Sequence, residues 1–156
     1  MRKCLILFIV MGTVLVGGCN NDGPKESGIS LIKTTNPTPV TIGKDTKKDQ
    51  ELVRSVEKDI EDFDELYDVA VIKGKEDILV AYKVKHMQRF HMKRIEKDIN
   101  KRLEDKYPEE NFIVSSDYKI FLEAVELEEN MKDSNYSQKE AEKKLQEIIK
   151  LKKELT

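Results

Sequence analysis

The chain has 156 residues, with 28 Lys and Arg against 30 Asp and Glu and a net charge of -2. That length holds one small globular domain at most, and the near balance of charge argues against a dedicated nucleic-acid binder. With 7 Gly, 4 Pro and 6% aromatic residues the chain is neither collagen-like nor aromatic-rich, and its two Cys cannot build a disulfide framework.

Met1, Arg2 and Lys3 form a short basic start, and residues 4–16, CLILFIVMGTVLV, are almost wholly apolar before Gly17, Gly18 and Cys19. This pattern predicts a signal peptide over residues 1–18, too short to be a confident spanning helix. The tetrapeptide Val16-Gly17-Gly18-Cys19 looks like a bacterial lipobox. Small side chains before the cysteine let the backbone enter a peptidase, and the Cys19 thiol is alkylated with diacylglycerol. On this reading the mature chain begins at Cys19 and is held by lipid at the extracytoplasmic face of a cell membrane. Each buried CH₂ contributes about 0.8 kcal/mol, so two or more chains anchor stably. Cys4 leaves with the leader, and the mature part keeps no thiolate nucleophile or soft metal ligand.

Residues 19–48 read as a lipidated Cys followed by a flexible linker, with Pro24, Pro37, Pro39 and three Gly and almost no apolar periodicity. Such a coil spans roughly 30 Å. From Asp49 onward only Gly74 and Pro108 interrupt the pattern, and residues 49–156 are predicted to be the folded domain.

Leu52, Val53, Val56, Ile60 and Phe63 fall on one face at helical spacing and predict a first helix over residues 50–65. Residues 67–73 and 78–85 are β-branched and aromatic runs around a turn with Gly74, which reads as a β-hairpin. After an irregular stretch over residues 86–90, Met92, Ile95, Ile99 and Leu103 predict a second helix that stops before Tyr107-Pro108. A short strand over residues 111–116 leads to Asp117, an N-cap for a third helix carrying Ile120, Phe121, Ala124, Leu127 and Met131. Ser137 and Glu140 form a capping box for a fourth helix with Ala141, Leu145, Ile148, Ile149 and Leu155. The predicted fold class is α+β: a small αββαβ domain whose three-stranded sheet has helices packed on it, plus two C-terminal helices. Both early helices are expected on one face of the sheet.

The segment YDVAVIKGKEDILVAYKVKHM, the basic helix after it, and YPEENFIVSSDYKIF resemble the sporulation lipoprotein family YhcN/YlaJ of endospore-forming Firmicutes, most closely its YlaJ-like branch. The resemblance runs over residues 49–150 and the lipobox. It is carried by Asp68 to Ile72, Ala81 to Lys83, Ile95 with Ile99, and Val114 to Asp117. These motifs are structural. They imply a spore membrane lipoprotein with a part in spore assembly or germination, and no known substrate.

Chemistry-bearing candidates have simpler explanations. His86 and His91 stand five apart, a spacing that does not put two metal ligands on one helix face. Ser115, Ser116 and Asp117 are explained by a strand end and a helix cap, with no G-x-S-x-G elbow around them. Glu126, Glu128 and Glu129 read as a solvated face. No cofactor, metal or catalytic role is expected.

One asymmetry stands out. Residues 49–68 hold nine acids against Arg54 and Lys58, about -7, and residues 83–106 hold nine bases against four acids, about +5. Either the two helices pair within one domain, or Asp59 and Asp62 of one copy meet Lys97 and Lys101 of the next, or the basic helix leans on anionic lipid. The expected function is a non-enzymatic, membrane-tethered interaction module that self-associates or meets spore envelope proteins. The alternative is a ligand-binding lipoprotein supporting a germination receptor or cell-wall machinery, which calls for a concave pocket with convergent polar groups.

Overall fold

The computed structural model describes residues 36–43 and 46–155. The leader, the lipobox and Cys19 lie outside the described residues, and no described helix is long and apolar enough to cross a membrane. The elements in chain order are β1 (Val40–Thr41), α1 (Lys47–Glu61), β2 (Leu66–Lys73), β3 (Asp77–Val84), a 3₁₀ turn (His86–His91), α2 (Met92–Lys106), β4 (Asn111–Ser115), α3 (Tyr118–Met131) and α4 (Gln138–Glu154). The fold is α+β, with one mixed sheet in the order β1-β2-β3-β4.

The hairpin β2–β3 is the middle of the sheet, antiparallel with Val71 opposite Val80. Successive strand side chains point to opposite faces, and here both faces are apolar. Val69, Val71, Ile78, Val80 and Tyr82 lie on one, in a cluster with Val53, Val56 and Ile60 of α1 and Ile95, Ile99 and Leu103 of α2. Ala70, Ile72, Leu79 and Ala81 lie on the other, clustered with apolar residues of α3 and α4. Both early helices therefore share one face, as their stripes predict, and the two C-terminal helices close the other.

The sheet has four strands rather than three. Val40–Thr41, inside the stretch read as linker, pairs in parallel with Ile72 and Lys73, the next amide, Ile42 N–H, donates to the Lys73 carbonyl at 2.7 Å, and Ile42 is buried. Two residues are too few to show a period of two, so nothing local marked this strand. Gly43 follows with φ of 113°, a conformation that favours glycine, and its carbonyl accepts from Gln138 Nε2 at 2.8 Å.

The first helix is shifted to earlier residues than its apolar stripe implied. Thr46 caps it by accepting from the Asp49 amide, which adds a polar first turn, and the chain leaves the helix at Asp62, before Phe63. The other caps stand as read: Asp117 Oδ1 accepts from the amides of Lys119 and Ile120, and Ser137 and Glu140 satisfy one another's backbone N–H groups.

Among the described residues one ion pair has both side chains buried within this largely apolar sandwich. Asp68 and Lys83 are cross-strand partners whose charged atoms are 3.0 Å apart, with side chains only 2% and 9% exposed. The Lys83 ammonium also lies over the rings of Phe121 and Tyr67, at 4.6 and 4.9 Å. Asp68→Ala strands that ammonium in an apolar layer and should cost about 3–5 kcal/mol in urea unfolding, whereas replacing the pair together with Leu and Met should recover most of the loss.

Candidate functional site

The acidic α1 and the basic α2 form the most strongly charged surface of the domain. Each carries one buried stripe, Val53, Val56 and Ile60 on α1 and Ile95, Ile99 and Leu103 on α2. Pressing both stripes onto the same sheet face brings the helices side by side, and oppositely charged flanks then meet. Lys106 Nζ donates to both carboxylate oxygens of Asp59, at 2.6 and 2.7 Å, and the Tyr107 hydroxyl donates to the same carboxylate. Arg102 donates to the Asp59 carbonyl at 2.9 Å and stacks over the Phe63 ring. Arg94 reaches Glu65 at 3.3 Å.

The Asp59 carboxylate is thus engaged by Lys106 and Tyr107 within the domain. Burial alone would raise its carboxyl, but the hydrogen bonds from Lys106 and Tyr107 and the charges of Lys106 and Arg102 outweigh that and hold it below the usual carboxylate range. Asp62, Lys97 and Lys101 are exposed and make no ion pair among the described residues. Lys101 borders an open hollow of about 480 Å³ on α2, with Asp98, Arg102, Asp105 and Lys106.

The other candidates hold structural places. The Ser115 hydroxyl accepts from the Asp117 amide at 3.2 Å, and Asp117 caps α3. His86 and His91 are exposed in the 3₁₀ turn, where His91 Nδ1 lies 3.2 Å from Gln88 Oε1. Among the described residues no three His, Cys, Asp or Glu side chains are grouped to hold a metal ion. Two open hollows of about 350 and 290 Å³ share Met92, Ser116 and Asp117. Beneath them Tyr82 is fully buried, and its hydroxyl faces Ser116 without meeting hydrogen-bond geometry.

Two features escaped the sequence reading. Glu128, read as solvated, is buried and pairs with Lys132 at 3.2 Å. Across the β1 edge it faces α1, where burial, Glu61 and Glu128 push the Glu57 carboxyl up to about 7, with Arg54 opposing them. The second feature is the exposure of Met87 and Phe90 in the turn between β3 and α2. A basic run with no carboxylate and no periodic partner for its Phe was the signal available for it.

No family model, no curated protein and no solved structure matches this chain.

Glu57 and Asp59 act on stability in different pH windows. A carboxyl raised in the folded state binds its proton more tightly there than in the unfolded chain, so Glu57 destabilises progressively as pH rises from about 4.5 to about 7. Asp59 does the reverse: its contribution is present above 3.8 and fades as pH falls through that lowered range. Glu57→Gln should therefore flatten the fall in stability between pH 5 and pH 8 by about 1–2 kcal/mol, after allowing for solvent screening at a half-exposed site, and urea midpoints across that range will read it.

Proposed function

We propose that this chain is a membrane-anchored sporulation lipoprotein whose domain works by contact rather than catalysis, in spore envelope assembly or in germination. The observation that carries the reading is the Val16-Gly17-Gly18-Cys19 box behind a basic and then apolar start. A leader of that form places the following domain outside the cytoplasm on a lipid tether. The resemblance of residues 49–150 to the YhcN/YlaJ lipoproteins supplies the sporulation context.

The shape of the domain supports a contact role. Both sheet faces are sealed by helices, so binding falls to the outer surfaces, where the hollow on α2 is open and bordered by Asp98, Lys101, Arg102, Asp105 and Lys106. Those are surfaces for a partner with a broad face, not an enclosed seat for a small molecule. Ser115 and Asp117, the residues most reminiscent of a hydrolase, are occupied in starting α3.

Mass spectrometry of the N-terminal peptide from the membrane fraction is expected to find a lipid on Cys19 and residues 1–18 removed. An unmodified Cys19 thiol, or Met1 still attached, would overturn the anchor. Cys19→Ala should release the protein or leave it as a precursor. Deletion of the gene should alter spore yield or germinant response while leaving exponential growth unchanged, and equal abundance in growing cells would count against the sporulation role.

A further inference from the structure

Five large apolar side chains stand exposed among the described residues, Tyr67, Met87, Phe90, Tyr118 and Leu155, and the topology gathers them at one end of the sheet. Tyr67 follows Leu66, the first residue of β2, which pairs with Val84 at the end of β3. Met87 and Phe90 sit in the turn that leaves that end of β3. Tyr118 begins α3 just after β4, which runs parallel to β3. Leu155, at the end of α4, borders the hollow that contains Ser115 and Ser116.

The turn itself is the most exposed part of this end. It is a six-residue 3₁₀ helix with no buried residue, longer than the three or four residues such helices usually run. The α2 helix that follows begins without a side-chain cap. Met87 is 80% exposed and Phe90 94%, which leaves apolar surface that none of the described residues covers.

The charges around the turn are of one sign. Residues 85–94, KHMQRFHMKR, contain Lys85, Arg89, Lys93 and Arg94 and no carboxylate. Arg94 is held by Glu65 and Asp98, and Lys85 donates to the Asp64 carbonyl. Arg89 and Lys93 make no ion pair among the described residues, and Lys97 and Lys101 continue from Lys93 at four-residue spacing along the exposed face of α2. Of the carboxylates nearby, Glu65 and Asp98 are paired with Arg94 and Asp117 is committed to its helix, which leaves Asp64 beside the turn, Glu96 beside Met92 and Asp105 beside Lys101 to oppose the cations.

We propose that this tip docks on an anionic phospholipid surface, with Met87 and Phe90 entering the interfacial region and Arg89, Lys93, Lys97 and Lys101 lying over the phosphates. A bilayer fits better than a protein partner, because the apolar side chains project from a turn instead of lining a groove, and the surrounding cations have long stems that let apolar and charged atoms part at an interface. The proposal rests on the membrane placement argued above and gives the tethered domain a defined orientation on the leaflet.

The chain has no Trp, so Phe90→Trp supplies a single fluorescent reporter in the full lipidated protein. That protein is reconstituted into phosphatidylcholine vesicles and into vesicles rich in phosphatidylglycerol. Flotation with both vesicle types reports the anchor, and failure to float with phosphatidylcholine would sink the anchor alone. Docking is read separately: in phosphatidylglycerol vesicles at low salt the Trp emission should shift to the blue and be quenched by lipids brominated in their tails, and phosphatidylcholine should give neither effect. Lys93→Gln and Lys97→Gln should each lower the ratio of docked to undocked protein about fivefold, and raised salt should do the same. Met87→Trp gives a second reporter should the first substitution disturb folding. Emission that is identical in the two vesicle types, with the protein anchored in both, overturns the proposal, as does quenching that survives both lysine substitutions.

Discussion

A hairpin that is apolar on both faces cannot be left half covered, and the rest of this domain follows from that constraint. Along β2 and β3 successive residues alternate between faces, yet apart from Tyr82 and the Asp68–Lys83 pair the buried residues of both sets are aliphatic or small. Strands buried on both sides read as continuous apolar runs and require a layer of helices above and below. The two layers are packed differently. On the first face large side chains, including Tyr82, fill the space between sheet and helices. On the second, Ala70 stands opposite Ala81 in the register, and in the same cluster the bulk comes from the helices, with Phe121, Ile120 and Leu145 fully buried.

The same constraint explains where the charges sit. The acidic α1 and the basic α2 are adjacent because their apolar stripes seek the same sheet face, each fully buried aliphatic side chain contributing about 1.5–3 kcal/mol. Exposed ion pairs contribute at most about 1 kcal/mol each, so pairs such as Arg94 with Glu65 follow the packing and do not direct it. Asp59 shows the consequence: Lys106, Arg102 and Tyr107 surround it from α2 and the residue after it. What remains unpaired is set by geometry. Among the described residues, Arg89 of the turn and Lys93, Lys97 and Lys101 on the outer face of α2 make no ion pair, and Arg89 borders the same hollow as Tyr67, Met92 and Tyr118.

Buried charge is kept where a partner is fixed by register or by a helix turn. Lys83 finds Asp68 across the hairpin, and Glu128 finds Lys132 one turn on. Among the described residues Glu57 makes no ion pair, and Arg54 one turn back only partly offsets its neighbours. Glu57 meets Glu61 and Glu128 near the short edge strand, where only two residues of β1 separate the helices of opposite faces, and its carboxyl therefore holds its proton to a higher pH.

By itself the sequence determined what local physics controls. The hairpin, the span of α2, the cap of α3 and the capping box of α4 were legible because side-chain periodicity and capping act over four residues or fewer. Only the tertiary structure decided the fourth strand, since Val40 and Thr41 are strand residues solely through hydrogen bonding to a segment some thirty residues away. It alone withdrew Asp59 from the outer surface and left Asp62, Lys97 and Lys101 on it. It also gathered Tyr67, Phe90, Tyr118 and Leu155, which are scattered along the chain, at one end of the sheet, because strand order and direction, not sequence spacing, set which element ends become neighbours.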